Sequence, residues 1–145
     1  MPTPTIRHAE ASDAPAIVAL IDPHVATGAL LPRTRDFVAD RAADFLVAEL
    51  DDRVVGCVHL SEYSPSLAEV RSLAVDGAQR AAAIDAELLA AAEKLAARRQ
   101  YATLFAVTND LALFERRGWQ PSSVPELYPE RDEVGRFAGV VAKEL

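Results

Sequence analysis

The segment that most restricts the fold is the Ala-rich stretch running to about Arg99. Within it Ile84, Leu88, Ala91 and Leu95 share one face at helical spacing. Arg80, Asp85, Glu87, Glu93 and Lys94 interrupt the alanines between Ala78 and Ala97, so the stretch reads as an amphipathic helix laid on a core and not as a bilayer span. Two apolar runs flank it, Leu67 to Val75 and Leu104 to Thr108. A strand, a long helix and a second strand in succession allow the two strands to lie parallel in one sheet.

The remaining elements are shorter. Thr5-Ile6-Arg7 reads as a first strand. Ser12 is expected to cap a helix running to Ile21, with Pro15 tolerated in its first turn, an apolar stripe of Ile17, Leu20 and Ile21, and Pro23 as its stop. A loop then carries His24 to Pro32, and Thr34 is placed to cap a second short helix containing Phe37, Val38 and Arg41. Phe45 to Leu50 and Val54 to Leu60 flank Asp51-Asp52-Arg53 and read as a hairpin. Asp110 to Arg117 reads as a short helix ended by Gly118, and Phe137 to Lys143 as a final strand after a Pro-rich loop. The expected order is β-α-α-β-β-β-α-β-α-β, an α+β fold of helices on a mostly antiparallel sheet.

Composition removes several function classes. Lys and Arg number 15 against 22 Asp and Glu, a formal charge of −7, and the sequence pI is about 4.9. Nucleic acid and anionic membranes need clustered cations, so neither is an expected partner. Cys57 is the single cysteine, which excludes an internal disulfide and a Cys-rich zinc site. His8, His24 and His59 fall on different elements without metal-ligand spacing, so no metal is expected, and Cys57 and His59 read as core or cross-strand residues. No basic region followed by an apolar run opens the chain, and the expectation is a cytoplasmic protein with one domain over residues 1–145.

Several short segments, taken in order, carry a resemblance: Gly28-Ala29-Leu30-Leu31-Pro32-Arg33, Val55-Gly56-Cys57, Ala68-Glu69-Val70-Arg71-Ser72-Leu73-Ala74-Val75, Leu104-Phe105-Ala106-Val107-Thr108, Phe114-Glu115-Arg116-Arg117-Gly118-Trp119 and Val124-Pro125, followed by Arg136 before Val140-Val141. Over Thr5 to Leu145 the chain resembles the GCN5-related N-acetyltransferase (GNAT) superfamily, and within it the acetyltransferase domain of N-acetylglutamate synthases. The resemblance implies a GNAT fold, a mixed and mostly antiparallel sheet with helices on both faces. It also implies acetyl-CoA as acyl donor and transfer of the acetyl group to the amine of a small, glutamate-like amino acid. A homodimer is an assembly it leaves open.

The same resemblance assigns roles. Glu69 matches the glutamate that deprotonates the amine, although a Glu near a strand end is more commonly just solvated. Thr108 matches a hydroxyl that protonates the departing thiolate, and it is equally placed to cap the following helix. The tyrosine that serves as acid in many members is Phe114 here, which has no proton to give. Arg33 and Arg136 match arginines that grip carboxylates in bidentate forks, and Ser72 falls at a further substrate-binding position. The second site departs from the family's Arg-x-Ser, reading Arg136-Phe137-Ala138, and a second family arginine has no counterpart nearer than Arg131. Leu73 and Val75 would pair main-chain groups with pantetheine.

The largest departure is the pyrophosphate loop, where the superfamily pattern Gln/Arg-x-x-Gly-x-Gly/Ala becomes Arg80-Ala81-Ala82-Ala83-Ile84-Asp85. Alanine favours helix where glycine would turn, and a carboxylate at Asp85 repels diphosphate. Arg80, Ala81, Ala83 and Asp85 are therefore the cofactor-binding positions in question, and the long helix is expected to begin before Ala83. Asp76-Gly77-Ala78-Gln79 has capping-box-like spacing that would start it earlier still. The alternative function is a GNAT-fold relative that binds CoA weakly and serves as an amino-acid-binding or regulatory module.

Overall fold

The structure, a computed structural model, describes residues 3–79, 81–122 and 139–145. Seven strands form one sheet: β1 (Thr5–His8), β2 (Phe45–Leu50), β3 (Arg53–Ser64), β4 (Leu67–Val75), β5 (Thr103–Thr108), β6 (Gln120–Pro121) and β7 (Gly139–Glu144), in the order β1-β2-β3-β4-β5-β7-β6. All neighbours are antiparallel except β4 and β5, the pair joined through the long helix. Helices α1 (Ala14–Ala26) and α2 (Arg35–Asp40) bury Ile17, Ile21 and Val38 against Phe45, Val47, Cys57 and Ala74. On the opposite face α3 (Ala81–Arg98) and α4 (Leu111–Glu115) pack Ile84, Leu88, Leu95, Leu113 and Phe114 against Leu46, Val58, Val70 and Leu104. The expected α+β architecture with helices on both faces is the one observed.

Gly56 sets how closely α3 approaches the sheet, since a Cβ there would lie 2.8 Å from Leu88 Cδ1 and 3.2 Å from Ile84 Cγ2. The β2–β3 turn holds Asp51 and Asp52 at φ of 51° and 60°, the twist a two-residue hairpin loop requires.

Three local expectations fail for identifiable reasons. Ser12 does not cap α1. A short 3-10 turn (Ala11–Asp13) precedes the helix, closed by a reciprocal capping box between Glu10 and Asp13, and Arg7 fixes Asp13 with hydrogen bonds of 2.8 and 3.1 Å. Pro23 lies inside α1 and does not end it. Pro23 and Ala19 are exposed, so water can take the carbonyl bond that proline leaves unmade. The helix ends instead at Gly28, φ +80°, where the Ala29 amide donates to the His24 carbonyl at 3.0 Å. Asp76 caps a turn and not a helix, accepting from the Ala78 amide at 3.0 Å while its carbonyl accepts from Gln79. The long helix nevertheless begins at Ala81, before Ala83 as expected. Sequence reading also stopped β3 at Leu60, four residues early, and passed over β6.

The β5–β7–β6 edge is tied to α3 through Glu93. Its carboxylate accepts from Arg117 Nε at 2.9 Å, Arg117 Nη2 at 3.2 Å, Trp119 Nε1 at 3.0 Å and Lys143 Nζ at 2.8 Å. Burial alone would push the Glu93 carboxyl up, but the bonds from Arg117, Lys143 and Trp119 outweigh it and hold the group below the ordinary glutamate range.

Candidate active site

Strands β4 and β5 pair over Leu67–Thr103, Ala68–Leu104 and Glu69–Phe105, and the pairing ends there. Beyond Glu69 the strands part. A bulge reinforces the fork: Cys57 faces Ala74 and His59 faces Arg71, so Ser72 and Leu73 together oppose Val58, and Ser72 takes a left-handed φ of 54°. The extra residue turns Leu73 and Val75 toward the α3 core while Ala74 joins the α1 core.

The fork opens a cleft with two parts. The larger, about 240 Å³, is lined by Leu73 and Val75 of β4, Asp85 of α3, Thr108 of β5 and Phe114 of α4. The smaller, about 20 Å³, is lined by Arg33 and Glu69, and Leu30, Arg71, Ser72 and Val107 border both parts. Leu30 reaches the cleft because α1 runs past Pro23 and turns at Gly28.

Glu69 is 2% exposed, far from the solvated strand-end glutamate that its position in sequence suggests. Its Oε1 lies 3.5 Å from Arg71 Nε. Thr108 Oγ1 accepts the Asp110 amide at 2.9 Å, which commits an oxygen lone pair and leaves the hydroxyl proton to donate. The cap of α4 is Asp110, whose carboxylate accepts from the Leu113 amide at 3.2 Å; Thr108 is not the cap. Arg33 stands over the Phe37 ring at 5.0 Å and Arg41 over the same ring at 3.9 Å. His59 stacks on Phe45 with centroids 4.3 Å apart, and its buried Nδ1 has no hydrogen-bond partner among the described residues. Burial first, then the charges of Arg71, Arg33 and Arg41, push His59 down to about 3, so it stays neutral. Burial likewise drives the Cys57 thiol up to about 12, which leaves it a packing residue.

At the α3 end the cleft changes sign. Asp85 borders it, accepts the Ala86 amide at 2.7 Å, and is held above the usual aspartate range by burial, with Asp110 adding to the effect. Ala83 is exposed on α3 and Ala81 opens that helix. No described residue between 76 and 85 has a left-handed φ. The strands part on one side of the cleft, and its α3 end presents the Asp85 carboxylate and a helix already begun at Ala81. Arg80 and Arg136 lie outside the described residues.

Sequence reasoning missed Arg71. The signal was present in its two-residue spacing from Glu69, which puts both side chains on one face of β4.

A sheet forked between two parallel strands, with a buried carboxylate at the fork, defines the class as a GNAT-type N-acetyltransferase. The chain belongs to the acetyltransferase (GNAT) family, whose model matches residues 8–119. It is 29% identical over 126 residues to an uncharacterized N-acetyltransferase of Chlorobaculum tepidum, covering 87% of this chain and 81% of that one. It is 33% identical over 137 residues to the amino-acid acetyltransferase of Neisseria meningitidis, covering 93% of this chain but 31% of that protein. The fold superposes on N-acetylglutamate synthase from Neisseria gonorrhoeae, complexed with coenzyme A and N-acetyl-glutamate, with a TM-score of 0.89 and 29% identity over 99% of this chain and 35% of the other. A Mycobacterium tuberculosis protein in complex with CoA gives a TM-score of 0.84 at 26% identity, covering 98% and 99% of the two chains. No helix among the described residues is long and apolar enough to cross a membrane.

Proposed function

We propose that this chain transfers an acetyl group from acetyl-CoA to the α-amine of a free, glutamate-like amino acid. The observation that carries the reading is the end of β4–β5 pairing at Glu69 and Phe105: the fork leaves strand backbone open to an extended arm and sets Glu69 at its apex. Bound acetyl-CoA supplies the thioester carbonyl carbon that the amine attacks. Glu69 takes the ammonium proton, leaving the nitrogen lone pair free to attack the carbonyl carbon. As the carbon–sulfur bond breaks, Thr108 Oγ gives its proton to the departing sulfur and regains one from the second N–H proton that the nitrogen loses on becoming an amide. Arg33, with Arg136, holds carboxylate on the acceptor, Ser72 borders the same space, and Leu73 and Val75 present main-chain groups to the pantetheine arm.

The relation to N-acetylglutamate synthase and to amino-acid acetyltransferases supports this acceptor class. Release of free thiol from acetyl-CoA in the presence of L-glutamate, with N-acetylglutamate identified by mass, is the test. Turnover with a free amino acid is the expected result, and no turnover across a panel of the common amino acids overturns it.

The start of α3 at Ala81 and the position of Asp85 favour a second reading, a relative that binds amino acids but holds CoA too weakly to turn over. Calorimetric titration separates the two, since acetyl-CoA gives heat only under the first while L-glutamate gives it under both.

A further inference from the structure

The small part of the cleft brings two arginines, Arg33 and Arg71, to the same cavity as Glu69. Arg71 lies directly across the β3–β4 ladder from His59, which stacks on Phe45 and meets Phe37 edge-on at 5.9 Å. Its side chain keeps 15% of its surface accessible, and its Nε lies 3.5 Å from Glu69 Oε1.

That last distance decides what Arg71 is suited to hold. In an α-amino acid the amine nitrogen and the carboxyl carbon share one carbon and lie about 2.5 Å apart. If Glu69 addresses the amine, the α-carboxylate must fall within a few ångströms of Glu69. Arg71 is a guanidinium in contact with that carboxylate and open to the cavity, with a planar fork that matches a carboxylate.

We propose that Arg71 is a specificity-determining residue that binds the α-carboxylate of the acceptor, restricting the enzyme to free α-amino acids. The assignment rests on the reading that the acceptor amine is presented to Glu69. A peptide N-terminus has no carboxylate on the carbon beside its amine, and a polyamine has none at all, so both are rejected. Arg33, across the same cavity, serves the other end of the acceptor.

The experiment compares matched pairs, L-glutamate with its α-amide and L-glutamine with its α-amide, on wild type, Arg71→Gln, Arg71→Lys and Arg33→Gln. Both kcat/KM and calorimetric affinity are measured. Wild type is expected to prefer each free acid over its α-amide by about 100-fold or more, the scale on which a built hydrogen-bonding site rejects an analogue lacking the partner group. In Arg71→Gln the ratio falls below about fivefold, Arg71→Lys recovers part of it, and Arg33→Gln leaves it unchanged while lowering preference for L-glutamate over L-glutamine. Because each ratio compares two ligands on one protein, general damage to folding or to Glu69 cancels from it. A preference that survives in Arg71→Gln, or a wild type indifferent to the α-amide, overturns the proposal. Binding with the expected ratios but without turnover overturns the catalytic reading and leaves the role of Arg71 standing.

Discussion

Glu69, on β4, and Glu93, on α3, are the two buried glutamates among the described residues, 2% and 8% exposed. Glu93 is enclosed by protein: two bonds from Arg117, one from Trp119 and one from Lys143 converge on its two oxygens. It closes the β6–β7 edge onto α3. Glu69 borders a cavity, beside a left-handed serine and an arginine that faces the same space. Two buried carboxylates thus have different surroundings: the one met by four donors ties α3 to the sheet edge, whereas the one that lines a cavity is the one we propose for the reaction.

The largest break in this comparison is expected at Glu93. Glu93→Gln leaves Arg117 and Lys143 without their counter-charge in a partly buried setting, and a loss of about 3 kcal/mol of unfolding free energy in urea should follow. The effect has a pH signature. Because the folded carboxyl is held below its ordinary value of 4.5, its contribution is fully present above that value and is lost as pH falls through the folded value. The stability gap between wild type and Glu93→Gln should therefore narrow on acidification below about pH 4.5; a gap that widens would contradict the assignment.

Asp85 offers a smaller effect on the ligand side. Its folded carboxyl is held above the usual range, chiefly by burial, so folding with the charge present is disfavoured near neutral pH and stability from this group rises as pH falls. Asp85→Asn should raise the thermal midpoint at pH 7 and tighten acetyl-CoA binding roughly tenfold, about 1.4 kcal/mol. Unchanged affinity by calorimetry would show that the carboxylate does not oppose the donor.

The smallest effect concerns Ser72. Glycine removes a left-handed strain of about 1–2 kcal/mol and adds unfolded-chain entropy of roughly half that, so Ser72→Gly should gain about 0.5 kcal/mol in stability. A loss would mean that the serine hydroxyl, and not the backbone bend, is what the bulge requires.

Where the sequence was readable, the governing interactions were local or periodic. The apolar stripe of α3, the Asp51-Asp52 turn and the Thr34 cap, which accepts the Phe37 amide at 3.0 Å, each follow from residues close in the chain. The failures have distant partners. Ser12 does not cap α1: Asp13, held by Arg7 on β1, takes the N-cap position and turns its carboxylate to the Glu10 amide instead. Pro23 is tolerated because its turn of α1 faces solvent, a fact of tertiary placement. At the site, the family pattern supplied Glu69, Thr108 and Arg33, which the structure brings to one cleft, whereas Arg71, two residues from Glu69 on the same face of β4, shows its place in the cleft only once the bulge and the fork are seen. The glycine-free loop was legible as a helix start, since three alanines in succession favour coiling over turning.

The most direct test of the two glutamates is to make Glu69→Gln and Glu93→Gln in parallel and to measure, for each, steady-state turnover of acetyl-CoA with a free amino acid and unfolding free energy in urea. Glu69→Gln should lose about 100-fold or more in kcat, the lower end of what a positioned general base contributes, while losing less stability than Glu93→Gln. Glu93→Gln should unfold more readily yet keep kcat within about threefold of wild type under folding conditions. Turnover in Glu69→Gln within about threefold of wild type, or a stability loss there as large as at Glu93, would contradict the division between a carboxylate that holds the fold and one that serves the reaction.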